Sequence, residues 1–227
     1  MGNNAFEYLS RRGVNRICHF TRAVSLLHIF HSKEGILATA FLKDYSKRQN
    51  DLKRLDNQAD YINCSIQYPN TWYLQKIRDK DSIFKDWVIL FIDLEILKHR
   101  ELKFSPCNAA TGNGFYISSK FDCLLQMFKN ELSIGQRKLR REASMLSCCP
   151  TDDQSEILIY QNIPLIYIIG IGVPDENSAS DVDARFKTID IQEYPPLYIA
   201  PEIFDTSWSR KIRQGDRPLE EMWKQVK

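Results

Sequence analysis

No Gly-x-Gly-x-x-Gly fingerprint, no Walker loop, no His-Glu-x-x-His and no Gly-x-Ser-x-Gly occurs in the 227 residues. Rossmann dinucleotide binding, P-loop phosphate cradling, zincin chemistry and serine-hydrolase chemistry therefore lack a sequence basis. The six cysteines (Cys18, Cys64, Cys107, Cys123, Cys148, Cys149) include no Cys-x-x-Cys pair and no zinc-like spacing with histidine. The opening MGNNAFEYLS has no apolar signal core, and no apolar run reaches membrane-spanning length. Reduced thiols in a cytoplasmic protein are the expectation. An excess of one charge is missing too: 31 Lys and Arg stand against 29 Asp and Glu, so the net charge of +2 decides nothing by itself.

What is present is enough apolar material, 43% of the residues, for one domain spanning 1–227. Its 174–193 stretch is acidic and polar and reads as a mobile loop, and 201–227 reads as a C-terminal extension. Basic residues gather at Arg11, Arg12 and Arg16, at 47–54, at 137–141 and at 210–217. They are either ordinary solvated faces or, where they meet in space, a place for a polyanion.

The clearest strand is YINCSIQY over Tyr61 to Tyr68. Ile62, Cys64, Ile66 and Tyr68 take one face, while Asn63, Ser65 and Gln67 take the other. A second face that is wholly polar meets solvent or lines a polar cleft. WVILFI over 87–92 is continuously apolar, as a strand buried on both faces should be. Asn15 to Thr21, Glu156 to Tyr160, Leu165 to Ile171 and Leu197 to Ala200 read as further strands. Apolar spacing predicts a helix over Ala23 to Phe30, stopped by Gly35, and another from Ser118 carrying Phe121, Leu124, Leu125, Phe128 and Leu132. Residues 43–60 read as a polar loop or loosely ordered helix, and 137–150 as a connection. The sum is an α+β fold with few, short helices on a sheet.

Five groups can carry chemistry. Glu156, preceded by Gln154 and Ser155, opens an apolar strand, so its carboxylate either meets solvent or sits at a cleft edge with a partner. In a cleft it would steady positive charge growing at an anomeric carbon during glycosidic cleavage. His19 and Thr21, two residues apart on one strand, can present donors to a sugar or amide, or serve structure alone. Arg54 offers a fork suited to a pyrophosphate, or pairs with Asp51 or Asp56. Asn63, Ser65 and Gln67 form the polar strand face, and Asn108 with Ala109 and Ala110 sits in a turn-prone stretch.

In order along the chain these segments resemble the DarT family, toxins that attach ADP-ribose to bases of single-stranded DNA. CHFTRAVSLLHIF is similar to the family's opening strand and helix. KRLDNQADYINCSIQYPNTWYL resembles its Arg-containing loop, strand and Pro-Asn turn. WVILFIDLEILK with FSPCNAAT resembles the central strand and the segment after it, and QSEILIYQNIPLIYI the Q-x-E strand. The resemblance covers roughly Ile17 to Pro201 and implies an ADP-ribosyltransferase-like split β-sheet. It also implies that Glu156 is the catalytic glutamate and Arg54 the arginine near the transferred group. His19, Thr21, Ser65 and Asn108 would line the NAD⁺ pocket, with Gln154 and Asp153 in the loop that reads the target. Many relatives carry His at the position of Asn108. Asp152 and Asp153 precede the glutamate where thymidine-modifying relatives look more basic, which leaves thymidine and guanosine both open as target. NAD is implied as co-substrate without a metal, and a cognate antitoxin as partner.

An edge of a base is reachable only when unpaired or flipped, so single-stranded substrate is the expectation, with Trp72, Tyr73, Phe115 and Tyr116 as candidates for stacking. The same fold acting on a protein side chain, or a non-catalytic nucleic-acid-binding module, are the alternatives.

Overall fold

The computed structural model describes residues 2–42, 55–80 and 86–224. Strands β1 (Ile17–Arg22), β2 (Ile36–Leu37), β3 (Tyr61–Ile66), β4 (Trp87–Ile92), β5 (Leu102–Ser105) and β6 (Glu131–Ile134) come from the first part of the chain. They are followed by β7 (Arg137–Arg140), β8 (Glu156–Tyr160), β9 (Asn162–Ile163), β10 (Ile168–Val173), β11 (Leu197–Ile199) and β12 (Glu221–Met222). The helices are α1 (Gly2–Arg11), α2 (Ser25–His31), α3 (Thr71–Lys80), α4 (Phe121–Gln126), α5 (Glu176–Thr188) and α6 (Ser207–Gln214). This is the mixed α+β fold with short helices that the sequence led us to expect.

Eight strands form one sheet in the order β12-β11-β10-β4-β1-β3-β8-β5. The central β4 is buried along its whole length, which is what its unbroken apolar run requires. It pairs with β1 at six positions, from Ile17↔Ile92 to Arg22↔Trp87. On its other side β1 meets β3 at only two, Ile17↔Ile66 and Cys18↔Ser65. Beyond Cys18 the two strands part, and this is the split in the sheet. Separation strips the backbone of β3 of a partner, and an unpaired buried carbonyl is costly. The His19 ring fills that place, with Nδ1 3.0 Å from the Asn63 carbonyl oxygen.

The alternation read in the third strand holds as far as Ile66. Gln67 then adopts φ +64°, so the strand ends two residues early. Its side chain accepts from the Asn15 backbone N–H and its carbonyl accepts from Arg16 Nε, tying the turn to the entry of β1. A small sheet of β2 and β9 closes the opposite wall of the split, with Ile36 facing Ile163. Gly35 feeds that strand at φ +79°, and a Cβ there would lie 2.1 Å from the Ile163 carbonyl oxygen. Gly35→Ala is therefore expected to cost about 1–3 kcal/mol from backbone strain, with the collision added, as a drop in the urea midpoint would show.

Three expectations need correction. Residues 174–193 are not a loop throughout: Asp175 caps α5, whose Ala179, Val182 and Phe186 are buried on the core. The helix from Ser118 ends at Gln126, and Leu132 belongs instead to β6, which turns at Gly135 (φ +57°) into β7. The connection 137–150 thus begins as a strand. The C-terminal extension packs against the core through Trp208 and Ile212, both buried. No helix among the described residues is long and apolar enough to cross a membrane.

The basic clusters largely serve structure. Arg16 is buried against Glu220 and over the Phe91 ring. Arg12 donates to the Ser147 carbonyl, and Arg141 to the carbonyl of Cys149. Lys138, Arg140, Arg210 and Arg217 remain exposed. The 47–54 cluster and the loop expectation there lie outside the described residues apart from the stretch after 54.

Candidate active site

Where β1 and β3 part, a cavity of about 460 Å³ opens, a size usual for ligand pockets. Its walls come from β1, α2, the segment 35–42, β3 and the segment 108–110. His19, Thr21, Ser65, Asn108 and Glu156 all line it, so five residues singled out from distant parts of the sequence share one space.

Glu156 is the first residue of β8 and is only 6% exposed. Register places it opposite Ser65 of β3 and Ser105 of β5, giving the carboxylate small polar neighbours on both flanks. Its Oε2 accepts 2.9 Å from the Ala109 backbone N–H and 3.1 Å from Asn63 Nδ2. Burial pushes its pKa up to about 7, and the negative charge of Asp56 adds to the rise. The hydrogen bonds from the Ala109 backbone and from the Asn63 and Asn70 side chains oppose the shift by favouring the charged form. Glu156 is therefore ionised above neutrality and loses its charge as pH falls through about 7.

The Asn63 carbonyl can only accept, so the His19 Nδ1 beside it carries the proton. Ser65 Oγ accepts from the Asn70 backbone N–H and holds the Pro-Asn turn, so the serine shapes the wall as well as lining it. Asn63 Oδ1 is buried without a hydrogen-bond partner among the described residues. An acceptor left unmatched on a cavity-lining residue suits a polar ligand that donates to it.

Two residues expected to read the target stand elsewhere. Asp153 is buried and ion-paired to Arg213 at 2.8 Å, with Ser209 Oγ donating to the same oxygen at 2.5 Å. Its Oδ2 holds α6 to the loop, and Asp153 does not line the cavity. Gln154 does not line the cavity, and its backbone N–H closes an Asx turn onto Asp152. Asp152 in turn pairs with Arg137 at 2.5 Å, so both acidic residues that set this loop apart carry counter-charges. Arg54 lies outside the described residues.

Of the aromatics, Trp72 packs edge-on to Trp208 and Tyr73 lines the cavity, while Phe115 is 80% exposed at the outer end of the turn after Asn108. Sequence reasoning gave no role to Asp56 beyond pairing with arginine, and none to Ser25, His28 or Thr39, which also line the cavity. The polar spacing of Ser25 and His28 on a helix read only for its apolar stripe was the available signal.

The family model described as ssDNA thymidine ADP-ribosyltransferase, DarT, matches residues 18–205. The chain belongs to the DarT family. Among solved structures it is similar to Thermus sp. 2.9 DarT in complex with ADP-ribosylated ssDNA, at TM-score 0.59 and 13% identity, covering 85% of this chain and 97% of that one. Thermus sp. 2.9 DarT in complex with NAD⁺ gives TM-score 0.55 and 14% identity over 81% and 93% of the two chains. Thermosipho africanus DarTG in complex with ADP-ribose gives TM-score 0.52 and 17% identity, covering 84% of this chain and 51% of that one. No curated relative matches the sequence. As a DarT-family member the chain is an NAD-dependent ADP-ribosyltransferase of single-stranded DNA, the activity that its motifs implied.

Proposed function

We propose that the cavity between β1 and β3 takes the nicotinamide–ribose portion of NAD⁺ and that Glu156 is the catalytic carboxylate. The observation that carries this is the burial of an ionisable glutamate in the split, within the same walls as His19. The bond from the ribose anomeric carbon to the nicotinamide nitrogen breaks with its electron pair leaving on nicotinamide. Glu156 steadies the positive charge that develops on the sugar and accepts a hydrogen bond from a ribose hydroxyl. A ring nitrogen of an unpaired base then bonds to the anomeric carbon and gives up its proton. His19, Thr21, Ser65 and Asn108 hold the dinucleotide. Arg54, two residues ahead of Asp56 in sequence, contacts the pyrophosphate or helps the proton leave.

The target base in this reading is thymidine, supported by the description of the matching family. The ion pairs of Asp152 and Asp153 support it as well, because they remove the free acidity that set this loop apart in sequence. The wider role is that of a toxin held in check by a cognate antitoxin. It rests on the family resemblance and on the similarity to a DarTG protein.

Nucleoside mass spectrometry on oligonucleotides of defined sequence, treated with protein and NAD⁺, tests the reading. A mass increase of one ADP-ribosyl group on thymidine is expected from single strands and not from the matching duplex. Modification confined to guanosine would move the target base, and modification of added protein instead of DNA would overturn the reading.

A further inference from the structure

The side chain of Asn63 stands between two carboxylates. One amide proton reaches Glu156 Oε2 at 3.1 Å and the other reaches Asp56 Oδ2 at 3.2 Å. Asp56 is itself fixed, because its Oδ1 accepts from the Gln58 backbone N–H at 3.1 Å. Both N–H groups of the amide are thus spent on acceptors, which settles which way the amide points. The backbone of the same residue carries the carbonyl that orients the His19 ring. One strand position therefore sets two cavity-lining groups, through its side chain on one side and its main chain on the other.

We propose that Asn63 and Asp56 are positioning residues for Glu156: the Asp56-tethered amide and the Ala109 N–H together pin Oε2, so that Oε1 is the oxygen presented to the sugar. The inference rests on Glu156 being the catalytic carboxylate. A carboxylate pinned through one oxygen keeps a single rotamer, and its reacting oxygen needs no reorganisation when charge develops on the ribose. The unmatched Asn63 Oδ1, buried beside the same carboxylate, accepts from a hydroxyl of the bound sugar.

The arrangement has an electrostatic signature with opposite signs at its two ends. Among the described residues, Asp56 is the charged group that acts on Glu156. The Cys64 thiol beside it is held neutral by burial, and His19 shares the cavity. Replacing Asp56 by Asn removes a negative charge and makes Glu156 easier to ionise. Replacing Asn63 by the near-isosteric Leu removes a hydrogen bond to the charged form and makes ionisation harder.

The test is the pH dependence of kcat for nicotinamide release at saturating NAD⁺, measured on the wild type, Asp56→Asn and Asn63→Leu, with melting temperatures recorded alongside. The acid limb of Asp56→Asn should move to lower pH and that of Asn63→Leu to higher pH, each by about one unit. At pH 8.5, about where both variants are largely ionised, Asn63→Leu should still lose roughly tenfold in kcat with a smaller change in KM. Asn63→Ala carries the same sign and replaces the Leu variant if that one melts below the assay temperature. Limbs that superimpose on the wild type, or that move in the same direction, overturn the inference while leaving the activity standing. A wild type that releases no nicotinamide and modifies no DNA overturns the reading beneath it instead.

Discussion

Replacing Glu156 with glutamine is expected to slow nicotinamide release and base modification by at least about 100-fold, the scale on which removal of one preorganised charge-stabilising group acts. The amide keeps the volume and can still accept from Ala109 N–H and Asn63 Nδ2, so the cavity should persist. What is lost is the negative charge opposite the sugar. Stability should move the other way. The folded protein raises the pKa of this glutamate from 4.5 to about 7, so the ionised side chain works against folding above pH 7. That cost disappears as pH falls, and is gone below the unfolded value. Glu156→Gln should therefore melt higher than the wild type at pH 8 and show little difference at pH 4. Transfer that survives unchanged would remove Glu156 from the centre of the reaction, and a melting temperature that falls at pH 8 would mean that its buried charge does not strain the fold.

The largest effect on stability is expected at Trp208. Its side chain is fully buried against Tyr68 and Trp72, and its indole N–H donates to Thr71 Oγ1 at 2.8 Å. Trp208→Ala leaves a cavity and an unsatisfied hydroxyl, at a cost of about 3–5 kcal/mol. For a chain of this length that corresponds to a fall in melting temperature of roughly 10 °C by calorimetry. Thr71 follows Asn70, whose backbone is held by Ser65, so the loss also loosens one wall of the cavity. A fall of only a degree or two would mean that α6 contributes little to the core.

Where local pattern and tertiary packing agree, the fold was legible. Tyr61–Ile66 alternates, Trp87–Ile92 is apolar throughout, and both became the strands their patterns specify. Glu156–Tyr160 was found to the residue because its carboxylate marks an abrupt boundary before four residues that pack in the sheet. Misreadings arose where two periods compete. Leu132 continues a helical series from Phe121, yet Glu131–Ile134 also alternates, and the left-handed glycine at 135 decided for a hairpin. Residues 176–188 are acidic, which hid the apolar spacing of Ala179, Val182 and Phe186.

The site was legible in its members more than in its wiring. Sequence order suggested that His19, Ser65, Asn108 and Glu156 belong together, and they line one cavity. Nothing in spacing alone reveals that Asp153 is spent on Arg213, sixty positions away, or that Asn63 joins two carboxylates. Those facts depend on which loops lie against each other, and a single sequence does not encode that in any local pattern.

The family match stops at residue 205, but Ser209 and Arg213, which hold Asp153, and Glu220, which holds Arg16, come after it. A chain trimmed to the family boundary would keep Glu156 and every described residue of the cavity. It would also strand two buried ions of opposite sign, one just upstream of the glutamate and one at the mouth of β1. The tail is thus a clasp on the segment that leads into β8 and on the entry to β1, and drift in its sequence would be felt at both.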